Sequence, residues 1–298
     1  MMQGRIISAH GRHYVARVED QLWHCYTRGK RAGICVGDYV TISAQGQNEA
    51  RIETVHERRN LLYRSDEMRS KQFAANVDVL LFITAVEPRF SEDLLGRALT
   101  AAWNETLKPY IILNKIDIES GLAEARARLQ LYHQLGVEII ECTITDSEDL
   151  SAKLLPLIKG QTALLLGQSA MGKSSILNVL APEAKAHTQA HSQALGTGRH
   201  TTTKTELYDI YNDGELVASL IDSPGFQNFG LLHLSDEQII KGFPEFNEAL
   251  KQCRFYNCRH LQEPGCGVIA ALEQGQIQPE RYQLYQRIIA ENEAAKRW

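Results

Sequence analysis

The stretch that most restricts the fold is Gly167-Gln168-Ser169-Ala170-Met171-Gly172-Lys173-Ser174, continued by Ser175. It fits G-x-x-x-x-G-K-[ST]. The apolar run Thr162 to Leu166 before it reads as a buried strand, and Ser174 to Leu180 reads as a helix. A glycine-rich turn between strand and helix lets backbone N–H groups wrap a phosphate at the positive end of a helix. In such a loop Lys173 reaches the β- and γ-phosphates, and Ser174 holds Mg²⁺. The loop predicts a nucleoside triphosphate and leaves the base open.

From Asn76 onward, strands and helices alternate. Strands are expected at 77–84, 109–113, 137–142, 162–166, 205–211 and 216–222, with helices between them, giving a mostly parallel doubly wound sheet. Asn114-Lys115-x-Asp117 follows the second of these strands. In an N-K-x-D pattern the carboxylate of Asp117 accepts from guanine N1–H and the exocyclic amine. Adenine offers neither donor, so a buried Asp117 would be left unpaired. Asp222-Ser223-Pro224-Gly225 is a D-x-x-G at another strand end. There Asp222 would bind Mg²⁺ through water, and the Gly225 N–H would sense the γ-phosphate. Between them, Gly196 to Thr203 is small and polar, as suits a switch segment in which one threonine completes the Mg²⁺ shell. N-K-x-D precedes the phosphate loop, the reverse of the Ras-like order. This implies a circular permutation that ties the segment after D-x-x-G directly to the C-terminal region.

Residues 4–58 alternate in five short bursts punctuated by Gly, Asp and Asn, the pattern of a small OB-type β-barrel. Tyr14, Trp23 and Tyr26 could either stack bases or fill the barrel. Up to Gln72 there are 12 Lys and Arg against 8 Asp and Glu, whereas the whole chain has net charge −4. The N-terminal part is thus the more plausible polyanion-facing surface. Residues 57–71 read as a basic linker. The expected division is 1–65 barrel, 66–232 GTPase and 233–298 a mainly helical zinc-binding region.

In that last region Cys253-x₄-Cys258-x-His260-x₅-Cys266 offers three thiols and an imidazole, a set suited to one structural Zn²⁺ with no open position. Arg254, Phe255, Tyr256 and Arg259 intersperse it. The six cysteines, with neither a leader-like start nor a membrane-length apolar run, favour thiols or metal over disulfides and a cytoplasmic location.

Taken together, N-K-x-D, G-x-S-x-x-G-K-S-S, Gly198-Arg199-His200-Thr201-Thr202-Thr203, D-S-P-G and the Cys₃His spacing behind a small barrel resemble the RsgA (YjeQ-type) circularly permuted GTPases. The resemblance covers almost the whole chain. It implies GTP hydrolysis to GDP and phosphate, stimulated by the small ribosomal subunit during its late maturation. It also places barrel and zinc region on rRNA; a monomer is expected. Lys173, Ser174 and Asp222 carry over, and Thr202 corresponds to the switch threonine.

Three positions depart from that family or from Ras. Ala170 stands where the family commonly has Gly, so a positive φ there would strain it. Cys142-Thr143 replaces Ser-Ala or Ser-Ser in the base-contacting loop, where the Thr143 N–H can still serve guanine O6. Phe226 stands where Ras has a water-orienting Gln, which leaves His200 as either a water-positioning group or a structural histidine. A rival reading is a divergent paralogue: an RNA assembly factor that binds guanine nucleotide and hardly hydrolyses it.

Overall fold

The computed structural model describes residues 1–27, 33–65, 70–182, 204–212, 214–224 and 229–296. The first five strands are β1 (Met2–His10), β2 (His13–Val18), β3 (Gln21–Thr27), β4 (Tyr39–Gly46) and β5 (Glu49–Val55). They pair in the ring β1-β2-β3-β5-β4-β1, with β3 and β5 parallel and the other pairs antiparallel. Period-two alternation makes this closure favourable. Ile6, Tyr14, Ala16, Cys25, Val40, Ile42, Ala50 and Ile52 point inward as a core separate from that of the rest of the chain. Tyr14 is therefore a core residue, whereas Tyr26 is exposed.

The stretch expected to be a basic linker is instead a hairpin, β6 (Leu61–Ser65) with β7 (Ser70–Ala75), which straddles the expected boundary at 65/66. Its flanking arginines are committed to carboxylates. Arg58 clamps the fully buried Asp38 through two bonds of 2.6 and 2.7 Å, and Arg59 pairs with Asp78.

The central unit follows the expected order: β8 (Val79–Ala85), α1 (Glu92–Asn104), β9 (Lys108–Asn114), α2 (Leu122–Gln134), β10 (Glu138–Glu141), α3 (Ser147–Ile158), β11 (Thr162–Gly167), α4 (Lys173–Leu180), β12 (Glu206–Asn212) and β13 (Glu215–Asp222). The sheet order is β10-β9-β8-β11-β13-β12. Only β12 runs antiparallel. β8 and β11 are buried along their whole lengths, as continuous apolar runs covered on both faces must be. Ser91 and Asp146 cap α1 and α3 through their side chains.

β1 also pairs with β12, through Ser8 and Glu206, so barrel and central sheet form one sheet of 11 strands. Arg5 reinforces the junction by donating to Thr162 Oγ1 (2.7 Å) and Ser219 Oγ (3.2 Å), and Arg17 pairs with Asp209 at 2.6 Å.

Of the C-terminal helices α5 (Asp236–Lys241), α6 (Asn247–Leu250), α7 (Gly267–Glu273) and α8 (Pro279–Lys296), α5 and α8 pack back onto α1, and α6 packs against α7. Arg97 on α1 grips Glu291 on α8 bidentately at 2.7 and 2.6 Å. Arg281 is buried, paired with Glu245, and lies over the rings of Trp103 and Phe243. Among the described residues no helix is long and apolar enough to cross a membrane.

Candidate functional site

The parallel strands β8, β9, β11 and β13 all end on one side of the sheet, where ligands of open α/β folds bind. The phosphate loop leaves β11 there, and α4 begins at Lys173 with Gly172 as its cap at φ 92°. No side chain fits at Gly172, since a Cβ would lie 2.1 Å from Asn114 Nδ2.

That close approach brings the guanine-motif strand onto the phosphate loop. Asn114, fully buried, donates to the Met171 carbonyl at 2.9 Å. Lys115 Nζ donates to the carbonyls of Ala170 (2.8 Å) and Glu87 (2.7 Å). Asp117 sits beyond them, and the Thr143 hydroxyl donates to its Oδ1 at 2.5 Å. The expectation of a buried Asp117 needs correction: its carboxylate is exposed at the site's rim, open to a base. The 0%-exposed Cys142 thiol lies in the core, 4.0 Å from Asn114 Oδ1, and burial pushes it up to about 11. Its side chain therefore supports Asn114 and does not face the base.

On the phosphate side Lys173 is buried and donates to Asp222 Oδ1 and to the Ser223 carbonyl (2.6 Å). Ser174 follows in the first turn of α4, next to this pair. The donor set fits a magnesium-bound triphosphate: a lysine, a serine hydroxyl and a carboxylate around a glycine turn at a helix start. Gln168 faces away, its Oε1 accepting from the Ser91 N–H at 2.7 Å, which fastens the loop to the start of α1. Ser169 and Ala170 are exposed, and Ala170 holds φ 67°. Thr202, His200, Gly225 and Phe226 lie outside the described residues.

The second site is the cluster Cys253, Cys258, His260 and Cys266, whose ligand atoms all lie within 4.8 Å of one another. His260 Nδ1 is 3.5 Å from the sulfurs of both Cys253 and Cys266. Zinc bonds of the usual lengths give a tetrahedral S···N edge of about 3.5 Å. Burial pushes the Cys258 thiol up to about 12 and raises Cys266, so these two neighbouring thiols ionise together only around a cation. Gly267 N–H and Ile269 N–H point at the sulfurs of Cys253 and Cys266. The α8 hydroxyls of Tyr282 and Tyr285 hold the carbonyls of His260 (2.8 Å) and Arg259 (2.7 Å). The residues fit a structural zinc, with every protein ligand position filled.

Three contacts were invisible in the sequence. Ser91 to Gln168 and Thr143 to Asp117 join residues far apart in the chain. Asn292 on α8, buried, donates to the carbonyls of both Leu231 and Leu234 at 3.0 Å, just after the D-x-x-G segment.

Fold and site together define a circularly permuted P-loop GTPase carrying an N-terminal barrel and a C-terminal Cys₃His cluster. The family model described as RsgA GTPase matches residues 55–232, and the chain belongs to that family. Its relatives include the small ribosomal subunit biogenesis GTPase RsgA of Bordetella pertussis, 56% identical over 295 residues, covering 99% of this chain and 97% of the relative. The protein of the same name from Burkholderia pseudomallei strain K96243 is 49% identical over 292 residues, with 97% and 92% covered. Among solved structures, YjeQ from Thermotoga maritima superposes with a TM-score of 0.73 at 27% identity, covering 98% of both chains. YloQ, titled a circularly permuted GTPase, superposes with a TM-score of 0.69 at 26% identity, covering 99% of this chain and 96% of the other.

Proposed function

We propose that this GTPase acts in late maturation of the small ribosomal subunit, hydrolysing GTP to GDP and phosphate with turnover stimulated by that subunit. The observation that carries the reading is the wiring of β9 to the phosphate loop through Asn114 and Lys115. It supports a shared site for base recognition and phosphate cradle, extended to Asp222 through Lys173, although the chain meets these parts in permuted order. The relatives named above supply the subunit.

In this reading the backbone from Gly167 to Gly172 and the side chains of Lys173, Ser174 and Ser175 hold the phosphates. Lys173 would exchange Asp222 for the β- and γ-oxygens, and Ser174, Thr202 and, through water, Asp222 would hold the Mg²⁺ that offsets the phosphate charge. Asp117 selects guanine, Thr143 fixes that carboxylate, and the Thr143 N–H faces O6. Thr202 and Gly225 order around the γ-phosphate, and His200 positions the attacking water. The division into residues 1–65, 66–232 and 233–298 belongs to this proposal, with the β6–β7 hairpin as the connector. So do one structural Zn²⁺ per chain, rRNA contacts by barrel and zinc region, a monomeric state and a cytoplasmic location. Ala170 and Cys142, the departures that would favour a hydrolysis-poor binder, leave the loop's ties to β9 intact, which supports the hydrolytic reading. The test is GTP turnover with and without purified small subunits; equal rates would sink the proposal.

A further inference from the structure

The loop between Cys253 and Cys258 carries the most exposed aromatic side chain among the described residues, Tyr256, at 103% relative exposure. Phe255 beside it is 39% exposed, and the Arg254 guanidinium lies over its ring, 5.4 Å from the centroid. A tyrosine wholly in water loses the burial that usually holds aromatics in a fold. Its surroundings are fixed all the same. Cys253 and Cys258 end the loop inside the metal cluster, Arg254 N–H donates to the Gly265 carbonyl (3.0 Å), and Cys258 N–H donates to the Phe255 carbonyl (3.3 Å).

Charge complements the rings. From Lys251 to Gln262 the chain holds Lys251, Arg254 and Arg259 and no carboxylate, within a chain of net charge −4. Lys251 pairs with Glu248, and Arg259 with Asp236 and Glu293. Arg254 has no ion pair among the described residues and stays available to a phosphate.

A rigid, exposed ring beside an uncommitted guanidinium matches an unstacked base and its backbone phosphate. We propose that Tyr256 and Arg254 form a stacking platform for a single-stranded or bulged RNA base. Duplex RNA fits poorly, because its bases are already stacked on one another. The inference rests on the rRNA-binding reading above and names the residues that would do the gripping.

The test uses the full-length, zinc-loaded protein and a labelled adenine RNA single strand of about 12 nucleotides, within the range of known single-strand sites. Tyr256→Ala should weaken its binding about tenfold, and Tyr256→Trp should retain it. A self-complementary duplex of the same length should show no such dependence. Zinc content, measured alongside, should match the wild type in both variants, since Tyr256 supports nothing around it. Single-strand affinity unchanged in Tyr256→Ala overturns the proposal. So does an equal loss on the duplex, or a loss of small-subunit binding with oligonucleotide affinity intact, which would assign the loop to a ribosomal protein. Small-subunit stimulation of the wild type's GTP turnover, read separately, distinguishes failure of this inference from failure of the broader one.

Discussion

The ammonium of Lys115 donates a 2.8 Å hydrogen bond to the carbonyl of Ala170, and both residues hold left-handed backbones, at φ 63° and 67°. An L-residue in that region costs roughly 1–2 kcal/mol relative to a right-handed one. The loop accepts this cost because its carbonyl must face Lys115.

Ala170 thus gives a graded series. Ala170→Gly removes the Cβ penalty but adds unfolded-state freedom, so stability should shift by less than about 1 kcal/mol. Ala170→Val puts a β-branched residue in the same conformation and should cost roughly 1–3 kcal/mol. GTP affinity should follow the order Gly at least equal to Ala, with both above Val. Calorimetric titration of the three proteins checks it, and tight binding by Ala170→Val would contradict the geometry.

Lys173 and Asp222 are buried together, with 7% and 3% of their side chains exposed. Asp222→Asn leaves a buried ammonium short of a counter-charge, and removing one partner of such a pair costs roughly 3–5 kcal/mol. Replacing both residues with apolar ones should cost less than the two single changes combined. Denaturant melts without nucleotide measure this.

The Thr143 hydroxyl aligns the exposed Asp117. Thr143→Val keeps the shape and removes the bond, whose worth of roughly 1–1.5 kcal/mol is about tenfold in affinity. GDP and GTP should weaken by the same factor, because the contact lies at the base end. A selective loss of GTP would place Thr143 elsewhere in the mechanism.

His233 stacks on Tyr63 of the β6–β7 hairpin, ring centroids 4.4 Å apart, and burial lowers it to about 4. Its folded value lies below the unfolded value of 6.5. The stability its neutral form contributes is full above about pH 6.5 and falls as pH drops towards 4. His233→Phe keeps the stack and removes the titration. The wild type should lose more thermal stability than this variant between neutral pH and about pH 5. Parallel curves would show that His233 is charged or already free of the ring.

Removal of the cluster's metal should loosen the C-terminal region selectively. With a strong chelator, or in Cys258→Ser, amide exchange should rise in residues 251–267 and in the turns of α8 that hold the His260 and Arg259 carbonyls. The barrel, which has its own core, should keep its protection. Uniform exchange across the chain would mean the metal stabilises the fold as a whole.

The sequence discloses whatever depends on side-chain type at short range. The all-apolar runs of β8 and β11 and the alternation of Val40 with Ile42 and Ala50 with Ile52 mark their elements. The phosphate loop, Asp117, Asp222 and the Cys₃His set are visible for the same reason. The β6–β7 hairpin escapes a pattern reading because Leu61-Leu62 and Phe73-Ala74-Ala75 lack period-two alternation and the arginines before it resemble a solvated linker. Arg58 and Arg59 are claimed by Asp38 and Asp78, up to 20 positions away. The ties of Asn114, Lys115 and Asn292 end on backbone carbonyls, which no residue pattern advertises. Helix α8 buries its amphipathic pattern of Leu284, Ile288 and Ile289 and, beside it, Arg281 and Asn292, which no apolar pattern marks.

The pairing of Ser8 with Glu206 also bears on how the chain is made. The barrel closes among its first 55 residues and has a core of its own. On an elongating chain it can fold long before β12 exists, since domains made first generally fold first. The stretch of β1 around Ser8 then waits for its β12 partner until about 150 further residues have been added. That strand pairing is therefore among the last events of folding, whereas the ties of Gly37 to Asn76 and Val36 to Ala75 can form much earlier. A protein released with β12 out of place would keep a sound barrel whose strands no longer run on into the sheet holding the GTP site.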